Sequence, residues 1–474
     1  MALAALILWP IIAIMIFRKL GTAKGLIWST LIGYLFLPEK QSIDLPGLPA
    51  FEKLEILVIC AVMGVAATKS MRKGQALAKS GGAASGLVYL FVIGVMITTL
   101  MTVMANRDPV NFVSTYIPGL GLMDVVTMSM NSLTLVVPFL LARRYLSEPD
   151  MHQEIMRALV KLGMIYSIFM LIEVRMSPQF HTWIYGYFQH SWIQHIRGGA
   201  FRPIVFLSHG LTVGMFILTA IVAAFSLMKT AMDGRDKQKY MLAGLWLLFI
   251  LGISRNFGAT MIAFMLVPFI LFTPRRIQIF VAATSAVLFL AYPAMRQSGV
   301  LPLDEVVNLI SNIDFKRANS LEYRFDNENL FLDRATERPM TGWGTWGRWR
   351  VYDEFGNDIS TVDGSWIGYL GAHGWLGYLT LFGLLSLPLF LLNSVRRTAV
   401  LQPTTVGLGL IVASNFLYMI PNDALSPLLM MYGGAVMGFI QLRDKSQNKR
   451  AEVVETGRTK TQYSRFAGAP ARSD

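Results

Sequence analysis

Between Ser320 and Arg350 the chain reads SLEYRFDNENLFLDRATERPMTGWGTWGRWR, and this run decides the fold by contrast with what surrounds it. It is the heart of one long polar interruption, from about Met295 to Gly364, in a sequence otherwise apolar almost end to end. The interruption holds seven arginines (Arg296, Arg317, Arg324, Arg334, Arg338, Arg348, Arg350), one lysine (Lys316) and twelve acids. Two stretches within it, LDEVVNLISNI from Leu303 and the run from Ser320 to Pro339, have helical character. Ser320 is placed to cap the second, which should end before Pro339.

Working outward, the 474 residues are 54% hydrophobic and 15% charged, with mean hydropathy +0.49. That composition excludes an ordinary soluble globule. Apolar runs of spanning length lie near 2–17, 22–37, 54–68, 84–105, 122–142, 158–174, 204–228, 240–253, 257–273, 277–294, 365–394, 404–420 and 424–441. A helix crosses the hydrocarbon in roughly 20 residues, and backbone groups in lipid must pair internally. Long continuous runs therefore mean helices, whereas a barrel would show alternating segments. The expected fold is an all-α polytopic membrane protein with about 12–13 transmembrane helices and one large extracytoplasmic loop. Its parts are an N-terminal bundle over 1–294, the loop over 295–364, further membrane helices over 365–441 and a disordered cytoplasmic tail over 442–474.

Charge sets the orientation. The net +13 is spread among alternate loops: Arg18, Lys19 and Lys24; Lys69 to Lys79; Arg143 to Lys161; Lys229 to Lys239; Arg275 and Arg276; Arg396 and Arg397. By the positive-inside rule these loops are cytoplasmic, and a nucleic-acid partner is not expected. The 38–53, 106–121, 176–203 and 295–364 segments then lie outside. Cys60 is the only cysteine, which rules out an intrachain disulfide and a thiolate metal cluster. MALAALILWPIIAIMIF lacks a basic region before its apolar stretch, so a first span is expected there in place of a cleaved signal.

On the outer side the cations are nearly all arginine, a bias that topology does not require. Guanidinium offers a planar donor fork matched to phosphate oxygens; the alternative for any one of them is an ion pair, such as Arg324 with Glu328 at i,i+4. Arg197 and Arg202 sit in HIRGGAFRP just before a long span, and Arg255 in the very short turn GISRNFG between two spans. A charge there snorkels or faces a polar cavity in the bundle. Asp363, in TVDGSW, is a base, an arginine partner or a turn residue. His373, in LGAHGWLG, falls about two turns into the next span, where imidazole is either a proton acceptor or a hydrogen-bonded bundle residue. Trp343, Trp346 and Trp349 recur every three residues; on a helix they would share a face and stack on sugars, or anchor at the headgroup layer. His181, His190, His195 and His209 cluster near one loop without metal-site spacing, and no metal, P-loop or GxSxG motif occurs. No cofactor is expected.

At these residues the chain resembles the bacterial O-antigen ligase and polysaccharide polymerase superfamily. IRGGAFRPIVFLSHG is similar to its Arg-Gly-Phe segment, GISRNFGATMIAF to its Ser-Arg element, YRFDNENLFLDRATERPMTGWGTWG to its loop signature and DGSWIGYLGAHGWLGYL to its re-entry helix. The resemblance implies a GT-C-like, metal-independent, inverting glycosyltransferase of the bacterial inner membrane, acting on its periplasmic face on undecaprenyl-pyrophosphate-linked glycan. Arg197 or Arg202, Arg255 and Arg324 would then hold the donor pyrophosphate, with Asp363 or His373 activating the acceptor and Trp343 and Trp346 contacting sugar. Ligases carry a His-Asn pair where this chain has Asp363-Gly364, which favours the exopolysaccharide polymerase branch. O-antigen ligase and a transporter or flippase are the alternatives, and a chain-length regulator as partner is left open.

Overall fold

The computed structural model describes residues 1–69, 83–197, 199–312 and 315–443. The expected cytoplasmic tail from 444 onward lies outside the described residues. The chain is almost wholly helical, and each of the thirteen expected apolar runs falls on a helix. In order these are α1 (Ala2–Leu20), α2 (Thr22–Phe36), α3 (Lys53–Lys69), α4 (Ala83–Ala105), α5 (Leu122–Tyr145), α6 (Pro149–Met176), the short α7 (Phe180–Tyr185), α8 (Gly210–Thr230), α9 (Gly234–Ile253), α10 (Phe257–Phe272) and α11 (Arg275–Gln297). There follow α12 (Leu303–Ser311), α13 (Phe315–Thr336), α14 (Ser365–Val395), α15 (Pro403–Met419) and α16 over 427–443. Two tiny hairpins pair β1 (Val110–Asn111) with β2 (Tyr116–Ile117) and β3 (Ile196–Arg197) with β4 (Ala200–Phe201).

Among the described residues seven helices, α1, α4, α5, α6, α8, α11 and α14, are long and apolar enough to cross a bilayer by length and composition. α8 lies at the centre. It is apolar around its circumference and buried along most of its length, as a helix enclosed by neighbours must be, and it packs on α6, α9, α10 and α15. Gly434 and Gly438 of α16, itself largely buried, rest directly on the Phe139 and Arg143 backbone carbonyls of α5. Small residues four apart permit that approach where no hydrophobic force favours one apolar neighbour over another.

The polar interruption begins after α11 and supplies α12 and α13. α13 starts five residues before the expected cap, so Ser320 lies within the helix. The upstream Lys316, Arg317 and Ala318 are good helix formers and prolong it. Its end at Thr336 precedes Pro339 as expected. The following Trp/Gly run is not helical. Gly342, Gly344, Trp346 and Gly347 all have positive φ, so the chain makes successive turns and the tryptophans share no helix face.

α14 is broken at Gly374 (φ 63, ψ −172). An unbroken helix would bond Trp375 N to Gly371 O and Leu376 N to Ala372 O. Here the preceding loop takes both places. Trp375 N donates to Pro339 O (2.8 Å) and Leu376 N to Met340 O (3.2 Å), while Gly371 O and Ala372 O accept from Trp343 N and Gly344 N (2.9 Å each). Four groups freed by the break are thus re-satisfied, which is the condition for irregular backbone inside an apolar bundle.

Candidate functional site

The segment leading into α8 is fastened by one buried carboxylate. Glu173, 1% exposed near the end of α6, accepts from Gln179 N and Phe180 N (3.1 Å each) on Oε1, and from Ile204 N (2.9 Å) and Val205 N (2.8 Å) on Oε2. Backbone amides aimed at an ionised acceptor are strong hydrogen bonds. Tyr166 Oη adds an acceptor for Phe206 N at 3.1 Å. Gln189 Nε2 donates to the Val205 and Leu207 carbonyls at 3.1 Å each. The turn carrying Arg202 is therefore held rigidly against the bundle.

From that turn Arg202 reaches the next one. Its Nη2 donates to the Arg255 carbonyl at 3.1 Å, and its aliphatic stem packs tightly against Gly210. Arg255 connects α9 to α10 in a left-handed conformation (φ 59), sparsely populated for a side chain that is not glycine and characteristic of functional turns. Its guanidinium is exposed and makes no ion pair among the described residues. Ser254 and Asn256, both buried, bond to each other at 3.0 Å and brace the turn.

Arg324, on α13, arrives from the other side. Its Nε lies 3.4 Å from Asp363 Oδ2, each side chain about a third exposed (36% and 37%), and its Nη1 donates to Pro421 O at 3.3 Å. Tyr418, one turn before Pro421, donates its hydroxyl to Leu211 O at the start of α8 at 3.2 Å and lies against Gly258 in α10. The structure therefore brings Arg202, Arg255, Arg324 and Asp363 to one end of the bundle, around the close of α15. Thr361 N donates to Asn327 Oδ1 at 2.8 Å, fixing the approach to Asp363 beside α13. The side chain of Arg197 lies outside the described residues.

Asp423 belongs to the same end and was not singled out in the sequence. Ser365 Oγ donates to its Oδ1 at 2.6 Å, and the Ser365 N donates to Asn422 O at 3.2 Å. This clamps the start of α14 onto the turn after α15. The signal was present: an acid in the short turn IPND between the last two apolar runs, a setting like that of Arg255 in its own short turn.

The remaining arginines of the polar segment take structural roles. Arg296, not Arg324, claims Glu328: Arg296 Nε is 2.8 Å from Glu328 Oε2, with exposures of 5% and 12%. Arg296 comes from the end of α11 and also bonds Phe325 O and Asn329 Oδ1, so a buried long-range partner displaces the i,i+4 pairing. Burial raises the Glu328 carboxyl above its ordinary value; Arg296 opposes this and the nearby Asp363 adds to it. Arg334 pairs with Glu337, Arg338 with Asp108 and Arg350 with Asp358. Arg348 is wholly buried and donates to the carbonyls of Trp343, Pro118 and Asp108. The side chain of Arg317 is not described.

Trp343 is buried, with Arg334 3.4 Å and Arg338 4.3 Å from its ring centre and its Nε1 bonded to Arg334 O. Cation–π contacts thus occupy the ring that the sequence offered to a sugar. Trp346 is 67% exposed and donates to Asp124 Oδ1 at 2.5 Å. His373 stacks on Tyr369 at 4.3 Å and has no hydrogen-bond partner among the described residues. His373 lies eight residues into α14 from Ser365, roughly 12 Å along the axis, whereas Asp363 precedes the helix, so the two candidate bases occupy different places.

The fold also draws together three of the histidines that cluster along the 176–203 segment and the start of α8. His190, His195 and His209 place ligand nitrogens within 4.8 Å of one another and could hold a metal ion. Two of the rings already bind backbone: His195 Nδ1 meets Arg202 O at 3.3 Å, and His209 Nδ1 accepts from Leu211 N at 2.9 Å as the cap of α8. An accepting Nδ1 leaves the proton of a neutral ring on Nε2, so His209 would have to release its cap before ligating through Nε2. The cluster serves here to fasten the Arg202 turn to the start of α8.

No protein-family model matches this chain, and no curated protein matches it. What the chain offers on its own is the gathering of the Arg202, Arg255 and Arg324 side chains with an adjoining carboxylate, at one end of an apolar helical bundle. Such a gathering suits a phosphate or pyrophosphate ester with an apolar tail, since forked donors fit phosphoryl oxygens and the bundle accepts the tail.

Proposed function

We propose that the protein is a GT-C-like polymerase of the bacterial inner membrane, joining undecaprenyl-pyrophosphate-linked oligosaccharide units into exopolysaccharide or O-antigen on the periplasmic face. The observation that carries this is the gathering of Arg202, Arg255 and Arg324 about the end of α15, with Asp363 against Arg324. An acceptor hydroxyl attacks the anomeric carbon of the lipid-linked chain while the bond from that carbon to pyrophosphate breaks. The departing diphosphate gains negative charge, which arginines already in position stabilise. Asp363 takes the hydroxyl proton; it stands before α14 at the end of the bundle where the arginines gather, whereas His373 lies within the helix. No metal is needed, because guanidinium supplies the charge.

The test is a deletion strain complemented with Arg324→Ala, Arg255→Ala, Asp363→Asn or His373→Ala. The first three should abolish long polymer while single repeat units still form; His373→Ala should leave polymer. Normal chain length from both arginine variants would refute the assignment. Loss of even the single capping unit would indicate the ligase alternative, and substrate movement by purified protein without bond formation would indicate a transporter.

A further inference from the structure

A second site lies at the opposite end of α9 from Arg255. Between α6 and α9 opens a groove of about 920 Å³. Its α9 wall is a single helix face: Arg235, Lys239, Leu242 and Trp246 fall at i, i+4, i+7 and i+11. The charged pair occupies the first turns of the helix and the apolar pair the turns below, so polarity changes along the groove. Across it α6 contributes Lys161 beside Met164, repeating the order of cation and apolar side chain. Lys161, Arg235 and Lys239 form no ion pair among the described residues. The Lys161 ammonium lies 5.6 Å from the Trp28 ring centre and that of Lys239 5.7 Å from the Tyr240 ring centre, contacts that position the ammonium groups without neutralising their charge.

The apolar wall continues along the outside of the bundle. Ile165, Leu242 and Trp246 are exposed to 47%, 54% and 36%, and Trp246 is held in place by its bond to Ser167 Oγ at 2.9 Å. A free phosphate would satisfy only the cations, and a neutral tail only the floor. We infer that the α6/α9 groove binds an anionic phospholipid, its headgroup phosphate among Lys161, Arg235 and Lys239 and an acyl chain along Met164, Leu242 and Trp246. Basic pockets between membrane helices at the basic-loop end are where such headgroups are attracted. α9 is 20 residues long, so the groove's charged rim stands roughly 30 Å from Arg255. The two anion-binding regions therefore lie at opposite ends of α9, and this one does not depend on the proposed glycosyl transfer.

The experiment uses the full chain in detergent and in bilayers. Phosphatidylglycerol should raise the thermal midpoint in a saturable way; phosphatidylcholine and inorganic phosphate should not. Removing charges with Lys161→Gln, Arg235→Gln and Lys239→Gln should weaken phosphatidylglycerol binding by about fivefold per charge, with the midpoint in phosphatidylcholine unchanged. Should the combined variant fail to fold, lipid retained by the unaltered protein from mixed bilayers, measured by mass spectrometry at two salt concentrations, provides the test. Preferential retention of phosphatidylglycerol that declines with salt supports the site, since rim cations are screened. Equal protection by phosphatidylcholine, a shift caused by phosphate alone, or unchanged affinity in the triple variant would overturn it.

Discussion

Gly342 and Gly374 meet backbone to backbone: a Cβ on Gly342 would sit 2.5 Å from Gly374 N, and one on Gly374 would sit 2.6 Å from Gly342 N. Both residues also have positive φ. Alanine at either position therefore meets two penalties, left-handed strain and overlap with backbone that cannot yield, each about 1–3 kcal/mol. Gly299 has φ 69 but open space around it, so Gly299→Ala carries the first penalty alone. Thermal unfolding in detergent should rank both joint variants clearly below Gly299→Ala. Equal midpoints would mean the close approach contributes nothing.

Glu173 offers a sharper replacement. Glu173→Gln keeps the size but exchanges one acceptor oxygen for an amide NH₂, which faces backbone N–H groups that need an acceptor. Leaving buried N–H donors without an acceptor costs about 1–3 kcal/mol each. Beyond lowered stability, the turn at Ile204 and Val205 should lose amide protection in hydrogen exchange while the centre of α8 keeps its own. Unchanged exchange at that turn would count against the fastening role.

The Arg296–Glu328 pair predicts a pH dependence. Replacing Arg296 with Met removes the group that opposes burial, so the Glu328 carboxyl rises further above its ordinary value. A folded state that holds the proton more tightly than the unfolded chain keeps this contribution below about pH 4.3, the ordinary glutamate value. It loses the contribution as pH climbs through the raised one. Stability of Arg296→Met relative to the unaltered protein should therefore fall with increasing pH above that point. Adding Glu328→Gln should flatten the profile; a profile that stays steep in the double variant would rule out Glu328 as its source.

The tryptophans should separate in behaviour. Trp343→Ala empties a buried place between Arg334 and Arg338 and should cost about 3–5 kcal/mol. Trp346→Ala, at an exposed turn, should leave the unfolding midpoint within about 1 °C, since such surface changes stay near ±0.5 kcal/mol. If glycan contacts this run, Trp346→Ala lowers activity without lowering stability. The reverse order of stability would contradict the burial described.

Every apolar run became a helix because a long stretch with no polar partner has few other ways to satisfy its backbone. Arg255 was equally visible, as a cation in a turn too short to have any other neighbourhood. The failures share a cause. Arg324 beside Glu328 looked like a helical pair, yet a buried guanidinium from α11, 32 residues away, bound the acid. The Trp/Gly run had helical spacing, but its glycines serve a joint with α14 that local sequence does not reveal. Asp423, not singled out in the sequence, gained its meaning from Ser365, 58 residues earlier. Pattern gave the elements, whereas partners chosen across the fold decided which charges remained available.

The break in α14 reaches beyond local geometry. The loop that follows α13 is spliced into α14 in the middle of its hydrogen-bond ladder, so Arg324's helix and the deeper half of α14 form one mechanical linkage. A load on Arg324 is transmitted through the splice into the interior of the bundle, where a slack connector would have dissipated it at the surface.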